Sequence, residues 1–362
     1  MEKTDMYTYI CEEADQCRQN VTKAAELTKD AVALFQKGTY QRIVIVASGS
    51  SYNGSVAAVP FLEEVMGIPC EVYSSYTFAN YGKKYDGATF VFGAGQSGRS
   101  TNTNDALDRA RAMGLPTVGL TAEVESEMKN HCDVISDWGV GIEKNGCVTK
   151  GYTTLVLYYM LFAVEAAKAT GRISEDEAGK WMGQLNDACG VIEKMVEEGT
   201  KWFERNREEL SHLKRVQVLG CGAGYGSAIE GALKIAETAC IPANAYEQEE
   251  FLHGPCFEDG PDYSVFVIDS RGPSSDRAVQ LYNALHFVTE RAYLVTNRGT
   301  DDPKAVSVAH DLPAVVTPLV NVIPFQIVAS HARETRQMNE GIHQMSTAVS
   351  TKTPKTGKER GF

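Results

Sequence analysis

Short apolar runs of strand length alternate along this chain with stretches of helical spacing. After an opening helical pattern, residues 21–38 (VTKAAELTKDAVALFQKG) read as a helix stopped by Gly38. RIVIVASG (42–49) is then a continuous apolar run, residues 50–53 form a polar turn, and 56–66 read as a helix. CEVYSS (70–75) and ATFVFGAG (88–95) are further strands, and QSGRSTNTND (96–105) leads into another helix. TVGLTA (117–122) and CDVISDW (132–138) close the series. Apolar runs separated by helices predict a parallel sheet covered on both faces.

Residues 148–207 read as helical, with a long charged stretch in their second half. The earlier pattern then returns. RVQVLG (215–220) is a strand, and the Gly-rich GCGAGYGS (220–227) enters the helix AIEGALKIAETAC (228–240). YSVFVIDSRG (263–272), a helix over 276–290, RAYLVTN (291–297), AVSVAHDLP (305–313) and a final helix over 322–339 follow. The predicted fold class is α/β: two tandem units of roughly 150 residues, each a parallel β-sheet flanked by helices on both faces. The expected division is 1–200, 201–345, and a polar, basic tail at 346–362.

Composition narrows the function classes. The 362 residues carry 47 acidic and 35 basic side chains, for a formal charge of −12. With no long Lys/Arg run, nucleic acid and anionic membranes are poor partners. An anionic substrate would need local donors that work against the overall field. The N-terminus has no cationic start followed by an apolar run, and the most apolar stretch, residues 152–167, is broken by Thr and Tyr. The expected location is cytoplasmic. Nine cysteines without a Cys-x-x-Cys pair read as reduced, mostly buried thiols, and no metal site is expected.

Ligands of open parallel sheets bind outside the carboxyl ends of the strands. Two hydroxyl-rich turns fall there: Ser48-Gly49-Ser50-Ser51-Tyr52-Asn53 and Gly95-Gln96-Ser97-Gly98-Arg99-Ser100-Thr101. Backbone N–H groups at a helix start, joined by hydroxyls, suit a phosphate. Ordinary helix capping by Ser and Thr remains the alternative. The Gly-rich run at 220–226 does not meet the dinucleotide register, because Tyr225 and Ser227 fall where the third glycine belongs. A second cluster is Glu230-x-x-x-Lys234-x-x-Glu237, with Glu249-Glu250-Phe251-Leu252-His253-Gly254-Pro255 soon after. The spacing puts Glu230, Lys234 and Glu237 on one helix face. Spacing alone leaves open a solvated face with ordinary ion pairs. A carboxylate base, a lysine and a histidine are also the groups needed to move protons on a sugar.

Taken in order, SGSSYNGS, GQSGRST, EKNGCVTKGYTT, EGALKIAE and EEFLHGP resemble the sugar-isomerase (SIS) domain pair of glucosamine-6-phosphate synthase. They resemble still more the deglycases that cleave phosphorylated sugar–lysine adducts. The similarity runs over roughly residues 41–345, and the EGALK helix and HGP turn are its most specific pieces. The resemblance implies that Ser51, Ser97 and Ser100, with Gln96 and the neighbouring Ser50, bind phosphate. One family serine falls on Gly95 here. It implies that Glu143 and the turn Val148-Thr149-Lys150 belong to a loop that closes over the sugar. Glu237 matches the group that shuttles a proton between sugar C1 and C2, with Lys234 and Glu230 beside it. His253 matches a ring-opening histidine that comes from the neighbouring subunit, which implies a homodimer with shared active sites. The chain before Gln41 leaves no room for an amidotransferase domain, so ammonia from glutamine is not an expected substrate. The family's Schiff-base lysine finds no clear match, although Lys352 and Lys355 are near its place.

The expected activity is hydrolysis of a 6-phosphosugar–amine adduct, of glucoselysine- or fructoselysine-6-phosphate type. The products are a hexose 6-phosphate and the free amine, and no cofactor is called for. One alternative is an aldose–ketose aminosugar-phosphate isomerase or deaminase. A different class is a non-catalytic sugar-phosphate-binding sensor, against which the presence of Lys234, Glu237 and His253 counts.

Overall fold

The computed structural model describes residues 6–144 and 146–335. In chain order the elements are α1 (Met6–Thr22), α2 (Ala24–Phe35), β1 (Arg42–Ala47), α3 (Ser50–Met66), β2 (Cys70–Ser74), α4 (Ser75–Tyr81), β3 (Thr89–Ala94), α5 (Thr101–Ala112), β4 (Thr117–Thr121) and β5 (Val134–Asp137). The long helices α6 (Lys150–Ala169) and α7 (Glu175–Arg205) and the short α8 (Arg207–Leu210) follow. Then come β6 (Arg215–Gly220), α9 (Ala223–Ala239), β7 (Ala243–Glu247), β8 (Tyr263–Ile268), α10 (Ser275–Leu285), β9 (Ala292–Thr296), β10 (Ala305–Ser307), α11 (Pro318–Asn321) and α12 (Ile323–Thr335). They form two compact units, each around one five-stranded parallel sheet.

The first unit comprises residues 19–142 and 154–183, with strand order β2-β1-β3-β4-β5. Its central strands β3 and β4 are buried at every position because helices cover both faces. One face packs an aromatic cluster in which Phe35, Phe90, Phe92 and Phe162 meet at ring distances of 4.8–6.0 Å. Truncating such a ring to alanine typically costs about 3–5 kcal/mol. On α5's side, a Cβ at Gly93 would lie 2.6 Å from Leu107. Glycine there lets α5 close on the sheet.

The second unit comprises residues 6–18, 143–153 and 184–335, residue 145 apart, with strand order β7-β6-β8-β9-β10. Strand for strand this repeats the first unit's order. Its core stacks Trp202, Phe266, Tyr293 and Phe325. Helix α9 lies close against α12, since a Cβ at Gly231 would meet the Phe325 ring at 2.6 Å. Two parallel sheets flanked by helices agree with the α/β expectation. No helix of the described residues is long and apolar enough to cross a membrane.

Four local expectations need correction. The helix expected over 21–38 is α2 preceded by the end of α1, because Lys23 (φ −102°, ψ 17°) leaves helical geometry. The polar turn expected at 50–53 is the first turn of α3. Gly49, at φ 60° and ψ −137°, swings the chain so that the helix starts at Ser50. Strand β7 was not foreseen, because ANAYE is a half-exposed edge strand with little apolar signal. The cysteines are not mostly buried: Cys17, Cys70, Cys132 and Cys189 are, whereas Cys147, Cys221 and Cys256 are half-buried and Cys11 and Cys240 exposed.

Within the second unit, Glu13 of α1 is fully buried against Thr153 of α6 and Gln326 of α12. Burial pushes its carboxyl up to about 8, more than the neighbouring polar groups of Thr153 and Gln326 pull it down; Glu143 adds to the rise and Lys150 opposes it. The unfolded chain gives up this proton near 4.5, whereas the native chain holds it to about 8. Between those values the native state binds more protons, so stability falls as pH rises and levels off above about 8. Glu13→Gln keeps the size but cannot ionise. It is expected to remove a slope of roughly 1 kcal/mol per pH unit and to melt higher than wild type at pH 8. Chemical denaturation at a series of pH values checks this; equal slopes in both proteins would refute it.

Candidate active site

In the first unit, β1 and β3 pair in parallel with Ala47 opposite Ala94. The chain runs from β1 to one side of the sheet and from β3 to the other. The loops after these strands therefore share the switch point where such sheets bind ligands. One loop delivers Ser50, buried, and Ser51, half-buried, at the start of α3. The other carries Gln96 and Ser100, half-buried, and Ser97, exposed, ahead of α5. So the structure sends the five residues expected to bind phosphate into two loops from adjacent strand ends.

The second loop is fixed by its own backbone. Gly98 N–H donates to Gly95 O at 2.9 Å, and Gln96 O accepts from Ala122 N–H and from the Thr121 hydroxyl, both at 3.0 Å. Gly98 has φ 59°, and a Cβ there would lie 1.8 Å from Ser126 Oγ, so no other residue fits. At Gly95, in contrast, a Cβ would meet only Met128 at 3.5 Å and Thr103 at 4.0 Å. Room exists there for the serine that the family pattern carries.

In the second unit, α9 brings Glu230, Lys234 and Glu237 together as their spacing predicts. Lys234 Nζ lies 2.6 Å from a Glu237 carboxylate oxygen and 3.7 Å from Glu230. Lys234 and Glu230 are 1 % exposed, whereas the Glu237 side chain is 42 % exposed. This is not the solvated face that spacing left open. Burial pulls the Lys234 ammonium down, but Glu230 and Glu237 outweigh it and hold the group above the usual lysine range. A half-buried thiol, Cys147, also lies within electrostatic reach of Lys234.

His253 ends a short helical turn at residues 250–253 and is exposed. Gly254 follows at φ 158° and ψ −56°, a backbone shape open to glycine. Glu247, at the end of β7, anchors this turn by accepting from the N–H groups of Glu249 (2.9 Å) and Glu250 (3.0 Å). Among the described residues no hydrogen bond or ion pair joins His253 to Lys234 or Glu237.

Glu143 does something the sequence did not suggest. Its carboxylate accepts from the backbone N–H groups of Thr149 (2.7 Å), Lys150 (2.9 Å) and Gly151 (3.2 Å), capping the start of α6. The loop between Glu143 and Thr149 is thereby closed at its base. Thr149 is buried, and its carbonyl accepts from the Gln326 amide at 3.2 Å. Lys150 is buried too and pairs with Glu12 of α1 at 2.5 Å, above the ring of Tyr9. Tyr9 hydroxyl accepts from Lys144 N–H at 2.9 Å. Sequence reasoning missed Tyr9 and Glu12, which share no motif with the loop they hold. Residues 339–350, Lys352 and Lys355 lie outside the described residues.

Residues 39–164 and 209–332 each match the SIS domain. The chain belongs to the SIS-domain family. A glutamine–fructose-6-phosphate aminotransferase (isomerizing) from Gloeobacter violaceus is 28 % identical over 305 residues, covering 83 % of this chain and 50 % of the relative. The chain thus spans about half the length of that relative. A protein from Clostridium difficile 630, assigned as a phosphosugar isomerase, matches at TM-score 0.86 and 25 % identity, covering 93 % of this chain and 95 % of the other. The C-terminal domain of a glucosamine-fructose-6-phosphate aminotransferase from Francisella tularensis shares the fold at TM-score 0.83 and 21 % identity, covering 93 % and 97 %.

If the two loops of the first unit cradle phosphate, millimolar inorganic phosphate or hexose 6-phosphate is expected to raise the melting temperature. The Ser97→Ala/Ser100→Ala variant is expected to lose most of that rise, and Gly95→Ser to keep or increase it. An unchanged rise in the double alanine variant would move the site elsewhere.

Proposed function

We propose that this SIS protein is a deglycase that hydrolyses a 6-phosphosugar–amine adduct to a hexose 6-phosphate and the free amine. The observation that carries the chemistry is the Lys234–Glu237 pair. Glu237 is held at 2.6 Å by a buried ammonium, yet its side chain remains 42 % exposed. A carboxylate held in place at one oxygen and open at its other side is suited to shuttling a proton. The segment Tyr246-Glu247-Gln248-Glu249-Glu250-Phe251-Leu252-His253, which resembles the deglycase branch, favours this substrate class.

The steps follow from sugar chemistry. His253 assists opening of the ring, exposing a carbonyl beside the amine-bearing carbon. Glu237 removes the proton from one of C1 and C2, giving an enol-type intermediate, and returns it to the other. The carbon bearing nitrogen becomes an imine, and water adds to it. Loss of the amine leaves a carbonyl, so the products are a hexose 6-phosphate and a free amine. Lys234 stays protonated between Glu230 and Glu237 and holds the relay in place. Glu143, by capping α6, fixes the loop through Thr149 that would lie over the sugar. The relatives' isomerizing activity, named for them, supports the second reading, an aminosugar-phosphate isomerase or deaminase, because it uses the same C1–C2 proton transfer.

Incubation with 6-phosphofructosyl-lysine and 6-phosphoglucosyl-lysine, followed by assay of hexose 6-phosphate, separates these readings. Turnover of glucosamine 6-phosphate or fructose 6-phosphate alone would favour the isomerase or deaminase, and binding without turnover the sensor. Glu237→Gln is expected to lower turnover by about 10²- to 10⁴-fold with KM little changed. Solvent deuterium should enter the released hexose phosphate at the carbon that receives the proton. Near-wild-type turnover of Glu237→Gln would end this assignment.

The exposure of His253, with exposed Leu252 and Phe257 beside it, supports a homodimer in which this turn serves a neighbouring site. Mixing inactive Glu237→Gln and His253→Ala chains, with subunit exchange verified, should then restore part of the activity. A monomer in solution, or no rescue, would refute the shared site.

A further inference from the structure

The two units can be aligned without a gap at their switch points. β1 and β3 end on Ala47 and Ala94; β6 and β8 end on Gly220 and Ile268. Two residues later, Gly49 (φ 60°, ψ −137°) matches Gly222 (φ 55°, ψ −126°), each the residue before a helix. Gly98 (φ 59°) matches Gly272 (φ 84°), and three residues on Thr101 and Ser275 begin α5 and α10. Thr121 and Thr296 end β4 and β9, and their hydroxyls accept from Glu123 N–H and Arg298 N–H, both at 3.1 Å.

The side chains on this shared scaffold differ. Ser50, Ser51 and Ser97 become Ala223, Gly224 and Arg271, so three hydroxyl donors are gone. Gly95, which has no side chain, becomes Asp269, whose carboxylate is fully buried. Four donors converge on it. Thr296 Oγ1 (2.8 Å) and Arg298 Nε (3.1 Å) donate to one oxygen, and the Ser275 hydroxyl and Arg271 N–H (3.2 Å) donate to the other. Arg298 also donates to Ser275 and Asp276. The arrangement at Asp269 is that of an occupied oxyanion site, with the anion supplied by the chain.

We infer that Asp269 is a built-in anion filling the switch point of the second unit, and that it confines phosphate to the loops of the first. The inference holds whichever adduct the enzyme cleaves. Removing the carboxylate should leave Arg298, Ser275, Thr296 and the Arg271 N–H facing a gap, and an oxyanion from solution should take its place. Asp269 is thus a specificity-determining residue by occupation.

The test uses the full chain carrying Ser97→Ala/Ser100→Ala, so that the first unit contributes little; the phosphate response of this parent separately reports on the first-unit site. Asp269→Asn preserves shape and removes charge. It should melt several degrees below the parent and gain nothing from phosphate, because the amide still fills the space. Asp269→Gly copies Gly95. It should be destabilised in phosphate-free buffer and recover by about 3–5 °C more than the parent in saturating inorganic phosphate. Calorimetry should show one added phosphate per chain, lost again with Arg298→Gln. If Asp269→Asn is as stable as the parent, the carboxylate is not acting as an anion. If Asp269→Gly gains no more from phosphate than the parent, including the case where it stays unfolded in phosphate, the site does not exist.

Discussion

An ammonium taken out of water costs several kcal/mol unless carboxylates meet it, and Lys234 is 1 % exposed. That constraint organises α9. Glu230 must be buried one turn before it and Glu237 must approach to 2.6 Å at the other end. Removing either carboxylate would leave the buried ammonium with a single anionic partner, so the three side chains act on one another. The same geometry leaves Glu237 with one face on the lysine and the other open, an unequal environment that a simple surface ion pair would not produce. On the same helix, Gly231 lets α9 lie against the Phe325 ring of α12.

The loop that begins at Glu143 depends on a second set of charges, of which Lys150 is buried. Three backbone N–H groups take the Glu143 carboxylate, and Lys150, one residue into α6, is neutralised by Glu12. Glu12, Glu13 and Tyr9 come from α1, which lies outside both stretches that match the SIS domain. A segment beyond the matched domains therefore sets the start of α6. Because Glu13 is held neutral by burial in the same place, α1 also makes the stability of the second unit depend on pH.

The chain carries net charge −12, so an anion must be held by local donors rather than by the overall field. The first unit presents helix starts and hydroxyls at one switch point, the donors such a site needs. The second unit uses the same loop geometry, with glycines at matching positive φ, around a carboxylate of its own. Duplication of a scaffold thus yields one open position and one that is closed, and the difference lies in a few side chains rather than in the backbone.

The apolar runs of β1, β3, β4, β6, β8 and β9 were legible because strands buried on both faces must be apolar at nearly every position. Edge strand β7 was not, since half-exposed ANAYE carries no such requirement. Spacing alone put Glu230, Lys234 and Glu237 on one face, because helical periodicity is local. Whether that face met water or the interior was not set by spacing: Glu230 and Lys234 are buried while Glu237 stays half-exposed. The hydroxyl-rich turns were likewise visible in the sequence, but the start of α3 at Ser50 followed from the positive φ of Gly49. Glu143 as a cap, Glu12 as the partner of Lys150 and Asp269 as a resident anion were decided only by tertiary structure. A charged side chain's role is set by which donors converge on it, and those donors come from parts of the chain that sequence spacing does not relate.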